Sequence, residues 1–172
     1  GWQGLVRRTL PQLGTRLMAD CDVPDLALFP ARYPQLRDIR FRAGVEVGTQ
    51  MRVLAMLAAL VRAGILKSLR PLARALLAIG PLFDPLGTFN SGFYMRLSGK
   101  DRSGQPLEKN FHLIARHGDG PHLPALPAII VARKLAAARD SIPAGAQPCL
   151  GLFTLSDYLA AIGDLRVEVI RG

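Results

Sequence analysis

The stretch that most constrains this chain runs from Arg116 to Ala138, RHGDGPHLPALPAIIVARKLAAA. A strand is expected to end at Arg116. A tight turn follows at Gly118, Asp119 and Gly120, because glycine on both sides of Asp119 admits backbone angles closed to other residues. Pro121, Pro124 and Pro127 then lead into a helix, where a proline at the first position sacrifices no hydrogen bond. The turn thus sets an acid and free backbone N–H groups at a helix start, a place suited to an anion or a partner loop. The plainer alternative is that Asp119 ties down the turn and caps the helix.

Alternation and caps place the other elements around this stretch. Gly4 to Leu10 and Arg16 to Cys21 read as short strands about a Pro-Gln-Leu-Gly turn. Asp22 is placed to cap a short helix from Pro24 to Phe29 that Pro30 stops, with a loop from Pro30 to Pro34. Ile39, Phe41, Ala43 and Val45 alternate with Arg40, Arg42 and Glu46, the habit of an antiparallel strand with one buried face. Thr49 to Leu66 reads as a helix, apolar all round between Val53 and Val61. Lys67 to Gly80 reads as a second helix broken near Arg70-Pro71. This pair is either a core hairpin with a subunit contact or a basic amphipathic segment that touches a membrane surface.

Pro81 to Ser91 reads as a loop. Phe93, Met95 and Leu97 then alternate with polar neighbours. After a turn at Lys100 to Gly104, the return strand sets Leu107, Phe111, Leu113 and Ala115 against Glu108, Asn110, His112 and Arg116. The helix after Pro127 is expected to end near Asp140, stopped by Pro143-Ala144-Gly145. Pro148 to Phe153 is apolar and expected in the core. Thr154 or Ser156 caps a last helix that Gly163 ends, and the chain closes on a strand with Leu165, Val167 and Val169 inward. The expected fold class is α+β, a single domain over 1–172 with a mostly antiparallel sheet and helices packed on one face.

Composition narrows the function classes. An apolar fraction of 49% is that of a globular chain. The net charge is +9, and 18 of the 22 basic residues are arginines scattered along the chain rather than gathered in a tail. Such a surface draws polyanions, acidic ligands and anionic lipid heads without specificity. No zinc-finger spacing, RNP-like aromatic motif or base-reading basic helix accompanies it, so no specific nucleic-acid partner is expected. Cys21 and Cys149 cannot define a disulfide framework. With no signal-peptide pattern, they read as buried or half-buried thiols in a reducing, cytoplasmic setting. The most apolar run, Val53 to Leu66, is interrupted by Arg62 and too short to span a bilayer.

No G-x-G-x-x-G, P-loop or G-x-S-x-G motif occurs, so no nucleotide site or nucleophile elbow is expected here. His117, Asp119 and His122 match no common zinc spacing. Asp22 and Asp25 near Arg32 offer an acid pair, but helix capping accounts for Asp22 more simply.

Four blocks in order, RLMADCDVPDLALFPARYP, IRFRAGVE, GDGPHLPALPAIIVARKLA and PCLGLFTLSDYL, with the hairpin between the second and third, resemble the C-terminal half of bacterial saccharopine dehydrogenase-like oxidoreductases. Members tend to carry Gly-Ser-Asp-x-Gly-Gly-Met before the hairpin; this chain has Gly87-Thr88-Phe89-Asn90-Ser91-Gly92-Phe93. The resemblance implies a substrate and dimerisation domain with a fold similar to the C-terminal domain of glyceraldehyde-3-phosphate dehydrogenase. It also implies a preceding Rossmann domain that holds NAD or NADP. This chain alone would then hold no cofactor and transfer no hydride. The implied reaction is reversible cleavage of a secondary amine joining an amino acid to a 2-oxo acid. Asn90, Gly118, Asp119 and Gly120 would line the cleft facing the Rossmann domain. Arg96 or Arg116 would pair with a substrate carboxylate, since a guanidinium matches a carboxylate in two-point fashion. The competing expectation for each arginine is a solvated strand face. A non-enzymatic module that docks a partner or a membrane through the apolar helix pair 49–80 is the alternative function.

Overall fold

The strands form two separate three-stranded antiparallel sheets in the computed structural model, which describes residues 2–138, 142–143 and 145–172. The chain is therefore α+β. The single sheet expected from alternation is corrected to two, one in each of two compact units, Gly1–Phe89 and Asn90–Gly172. Alternation reports that a strand has two faces; it carries no information about which strands share a ladder.

In the first unit, β1 (Gln3–Leu10) pairs with β2 (Gly14–Asp20), and β2 pairs with the two-residue strand β3 (Arg42–Ala43). The longer strand expected from Ile39 onward shrinks to this pair. Helix α1 (Asp25–Arg32) runs through Pro30 instead of stopping at it, and the Tyr33 N–H still reaches the Phe29 carbonyl. Pro24, not Asp22, takes the N-cap position. Helix α2 (Gly48–Arg62) lies against β1 and β2 and seats Met51, fully buried, in a core with Leu10, Leu13, Met18 and Ala19. Past α2 come a 3₁₀ turn at Arg70–Leu72, helix α3 (Ala73–Ile79) and a 3₁₀ run at Gly80–Leu86 where a loop is expected. None of these three pieces buries a residue.

In the second unit, β4 (Ser91–Lys100) and β5 (Pro106–Ala115) form the expected hairpin, and β6 (Val167–Arg171) pairs with the far end of β5. That end is covered on both faces: Leu113, Ile114 and Ala115 are 4%, 1% and 0% exposed. Strand β6 leaves Val169 exposed rather than inward. A 3₁₀ run at Gly120–Ala125 leads into helix α4 (Leu126–Ala137). The helix ends before Asp140, which lies outside the described residues, as does Ala144 of the expected stop signal.

Helix α5 (Leu155–Ala161) begins with a capping box in which the Thr154 hydroxyl and the Asp157 carboxylate each accept the other's backbone N–H. Tyr158, Ala161, Ile162 and Leu165, spaced i, i+3, i+4 and i+7, pack on Ala115, Leu123 and Leu126. The Tyr158 hydroxyl donates to the Leu123 carbonyl at 3.1 Å, and burial raises its pKa. Lys134 Nζ donates to the Leu152 carbonyl and to Asp157, fastening α4 to α5. The Pro148 to Phe153 segment stays largely outside the core, with Cys149 exposed and Cys21 half-buried.

Candidate functional site

The turn after β5 is built differently from its sequence expectation. The positive φ values fall on His117 (54°) and Gly118 (85°), one residue earlier than the Gly-Asp-Gly reading places them. The Asp119 N–H closes the turn on the Arg116 carbonyl at 3.0 Å, in the manner of a type I′ turn. Gly120 matters for a different reason. A Cβ there would strike the Ser91 side chain, so any larger residue at this close approach to the start of β4 forces Ser91 to shift.

Three hydrogen bonds then fix the turn. The Asn90 side-chain oxygen accepts the His117 N–H at 3.2 Å, meeting the amide at the strained position. Asp119 Oδ2 accepts the Arg166 N–H at 2.8 Å, across 47 residues of chain. The Arg116 N–H in turn donates to the Arg166 carbonyl at 3.0 Å, so the residue before β6 is held from both sides. Asp119 makes no side-chain cap bond. The capping expectation is thereby corrected: the carboxylate turns to the β6 approach, where it meets a backbone donor already presented by the sheet. The turn's own N–H groups are also engaged, that of Asp119 with Arg116 and that of His122 with the Asp119 carbonyl. An anion at this short 3₁₀ start would find those donors occupied.

The structure thus brings Asn90, Arg116, Gly118, Asp119 and Gly120 together at one end of the second sheet. Arg116 lies beside Glu168 of β6 at 3.4 Å, with both side chains partly exposed. Arg96 is not part of this group. It sits six residues further along β4, about 20 Å away at the rise of an extended strand, and faces Glu108 at 4.0 Å with both side chains half exposed. Of the two arginines left open by the sequence, only Arg116 shares the turn's neighbourhood.

Ser91, Arg166 and Glu168 complete the arrangement, and sequence reasoning does not single them out. No local spacing announces a partner 47 or 52 positions away. Among the described residues, no group of three His, Cys, Asp or Glu side chains is placed to hold a metal ion, and no helix is long and apolar enough to cross a membrane.

The first unit has its own polar joint. Glu46, expected on an outward strand face, receives Arg16 Nη2 at 2.8 Å, the Thr88 N–H at 2.8 Å and the Thr88 hydroxyl at 2.6 Å. Burial pushes this carboxyl up, but the two Thr88 bonds, the Arg16 charge and the Phe89 N–H together hold its pKa below the ordinary value. No family model, curated protein or solved structure matches this chain.

Proposed function

We propose that this chain is the substrate-binding and subunit-contact half of a saccharopine dehydrogenase-like oxidoreductase, with a fold similar to the C-terminal domain of glyceraldehyde-3-phosphate dehydrogenase. The observation that carries the reading is the order of its sequence blocks, from RLMADCDVPDLALFPARYP to PCLGLFTLSDYL, across nearly the whole chain. The fastened turn at Arg116 to Gly120 is consistent with it. Its backbone is fixed before any ligand arrives, which spares the ordering cost of binding.

In this reading the Arg116–Glu168 pair meets an amino-acid-derived substrate. The guanidinium faces a carboxylate and Glu168 faces the substrate's cationic nitrogen. The hydride chemistry belongs to NAD or NADP held by a Rossmann domain of the parent polypeptide, which also supplies a second copy for a homodimer. This chain's residues bind and orient; no general base is assigned among them.

The test begins with the open reading frame. A strand followed by G-x-G-x-x-G upstream of Gly1 is the expected result, and a start codon immediately before Gly1 overturns the reading. In the full-length protein, Arg116→Gln is expected to raise KM for the carboxylate substrate by about tenfold to a hundredfold, the scale of one lost charged contact. It should leave kcat within a few-fold. An unchanged KM removes Arg116 from the site.

A further inference from the structure

Between Glu46 and Asp84 the chain carries five basic residues, Arg52, Arg62, Lys67, Arg70 and Arg74, and no acidic one. Apolar side chains also stand in solvent in this stretch and just past Asp84, as they do along β4 at Phe93, Met95 and Leu97. Leu77, Leu82 and Leu86 are 76%, 74% and 69% exposed, and Leu72 and Ile79 are exposed as well. From Arg70 to Leu86 no residue is buried, although most of the residues are apolar.

Helical spacing sorts these groups. On α3, Arg74 and Leu77, three apart, share one side, while Leu76 and Ile79, also three apart, share the opposite one, so apolar side chains line both sides. On α2, Thr49, Arg52, Val53 and Met56 are exposed at i, i+3, i+4 and i+7, opposite the buried Met51. At the root of the segment is a depression of about 440 Å³ lined by Gln3, Val61, Arg62, Lys67 and Ser68 among others. The Gln3 Nε2 donor is buried with no partner among the described residues.

We infer that the 70–86 segment docks on an anionic lipid surface, its leucines entering the headgroup boundary and its arginines and Lys67 meeting lipid phosphates. Exposed leucine favours any apolar cover, so charge must choose the occupant. A second copy of the chain would set Arg62, Lys67, Arg70 and Arg74, offset in this stretch by Asp84 alone, against themselves, and like charges brought together in a contact are costly. An anionic bilayer satisfies both properties at once: apolar side chains gain burial and the cations gain counter-charge. Long basic side chains also reach the headgroups while their stems lie along apolar surface. The inference goes beyond the oxidoreductase reading and does not rest on it.

The experiment is co-sedimentation of the full chain with phosphatidylcholine vesicles, with and without about 30 mol% phosphatidylglycerol, an anionic fraction that gives a substantial surface potential. Sedimentation with the anionic vesicles alone, falling as salt is raised, is the expected result. Arg70→Gln with Arg74→Gln should weaken the partition about 30-fold, the scale for two surface cations. Leu77→Ser with Leu82→Ser, which leaves the charge unchanged, should abolish it at low salt. Both variants change exposed side chains, and circular dichroism checks that they stay folded. Equal sedimentation with neutral vesicles overturns the inference. So does a leucine variant that still binds anionic vesicles, which would reduce the effect to net charge. Failure to sediment, with a dimer that the leucine variant dissociates, assigns the face to a second copy instead. Vesicle binding is read without turnover, so its failure leaves the oxidoreductase reading standing.

Discussion

The end of β5 and the segment around α3 are both rich in apolar residues, yet one is sealed and the other open. Leu113, Ile114 and Ala115 lie in the central strand of the second sheet, between two partner strands, with Ala115 beneath Leu123, Leu126 and the face of α5. Leu77, Leu82 and Leu86 have a helix's internal hydrogen bonds but no packed neighbour that covers them. The difference is one of pairing. A strand needs partners to satisfy its backbone, and those partners bring side chains with them. A helix satisfies its own backbone and is free to present an uncovered stripe.

Paired truncations break this comparison most directly. Ile114→Ala is expected to cost about 3–4 kcal/mol, the scale of a large aliphatic side chain removed from a closed core. Leu77→Ala should stay within about 0.5 kcal/mol, as for exposed positions generally. Urea or thermal melts of both variants check the contrast. A large loss at Leu77 would show that the α3 stripe is covered in solution.

The fastened turn sharpens the sealed side. Gly120→Ala drives a methyl group into the Ser91 side chain and is expected to cost about 2 kcal/mol, in the range of overpacked sites. Adding Ser91→Gly removes the obstruction and should recover part of that loss. Melting temperatures of the two single variants and the double variant measure the coupling, and strict additivity would contradict the close approach.

A smaller effect belongs to Glu46. Its folded pKa lies below the unfolded value, so its contribution to stability is complete above about pH 4.3 and is lost as pH falls through the depressed folded value. Chemical denaturation of the wild-type chain between pH 7 and pH 3 should therefore show a loss of about 1 kcal/mol that Glu46→Gln lacks, as for a hydrogen-bonded carboxylate. An identical pH profile in the variant would remove Glu46 as the source.

Much of this was legible from residues alone. The two hairpins follow from alternation and short polar turns, and a helix cap at Thr154 or Ser156 follows from local pattern, Thr154 being the one the structure uses. The Asp119 interaction was not legible in that way. Its acceptor oxygen suited a helix cap as well as an amide 47 residues on, and only the placement of β6 beside β5 decided between them. Glu46 was similar: a polar side chain on an alternating strand reads as solvated until Arg16 and Thr88 arrive from other parts of the unit.

Neighbouring residues alone account for the local elements, the acid-free basic stretch from 47 to 83 and the apolar stripes of the helices, because each is a property of short spacing along the chain. Long-range packing settles which apolar stripe is covered, what a side chain at Gly120 would meet, and which of the two candidate arginines stands beside the turn. Those outcomes depend on groups brought together from distant positions, where packing space and unsatisfied donors, rather than spacing along the chain, choose the partner.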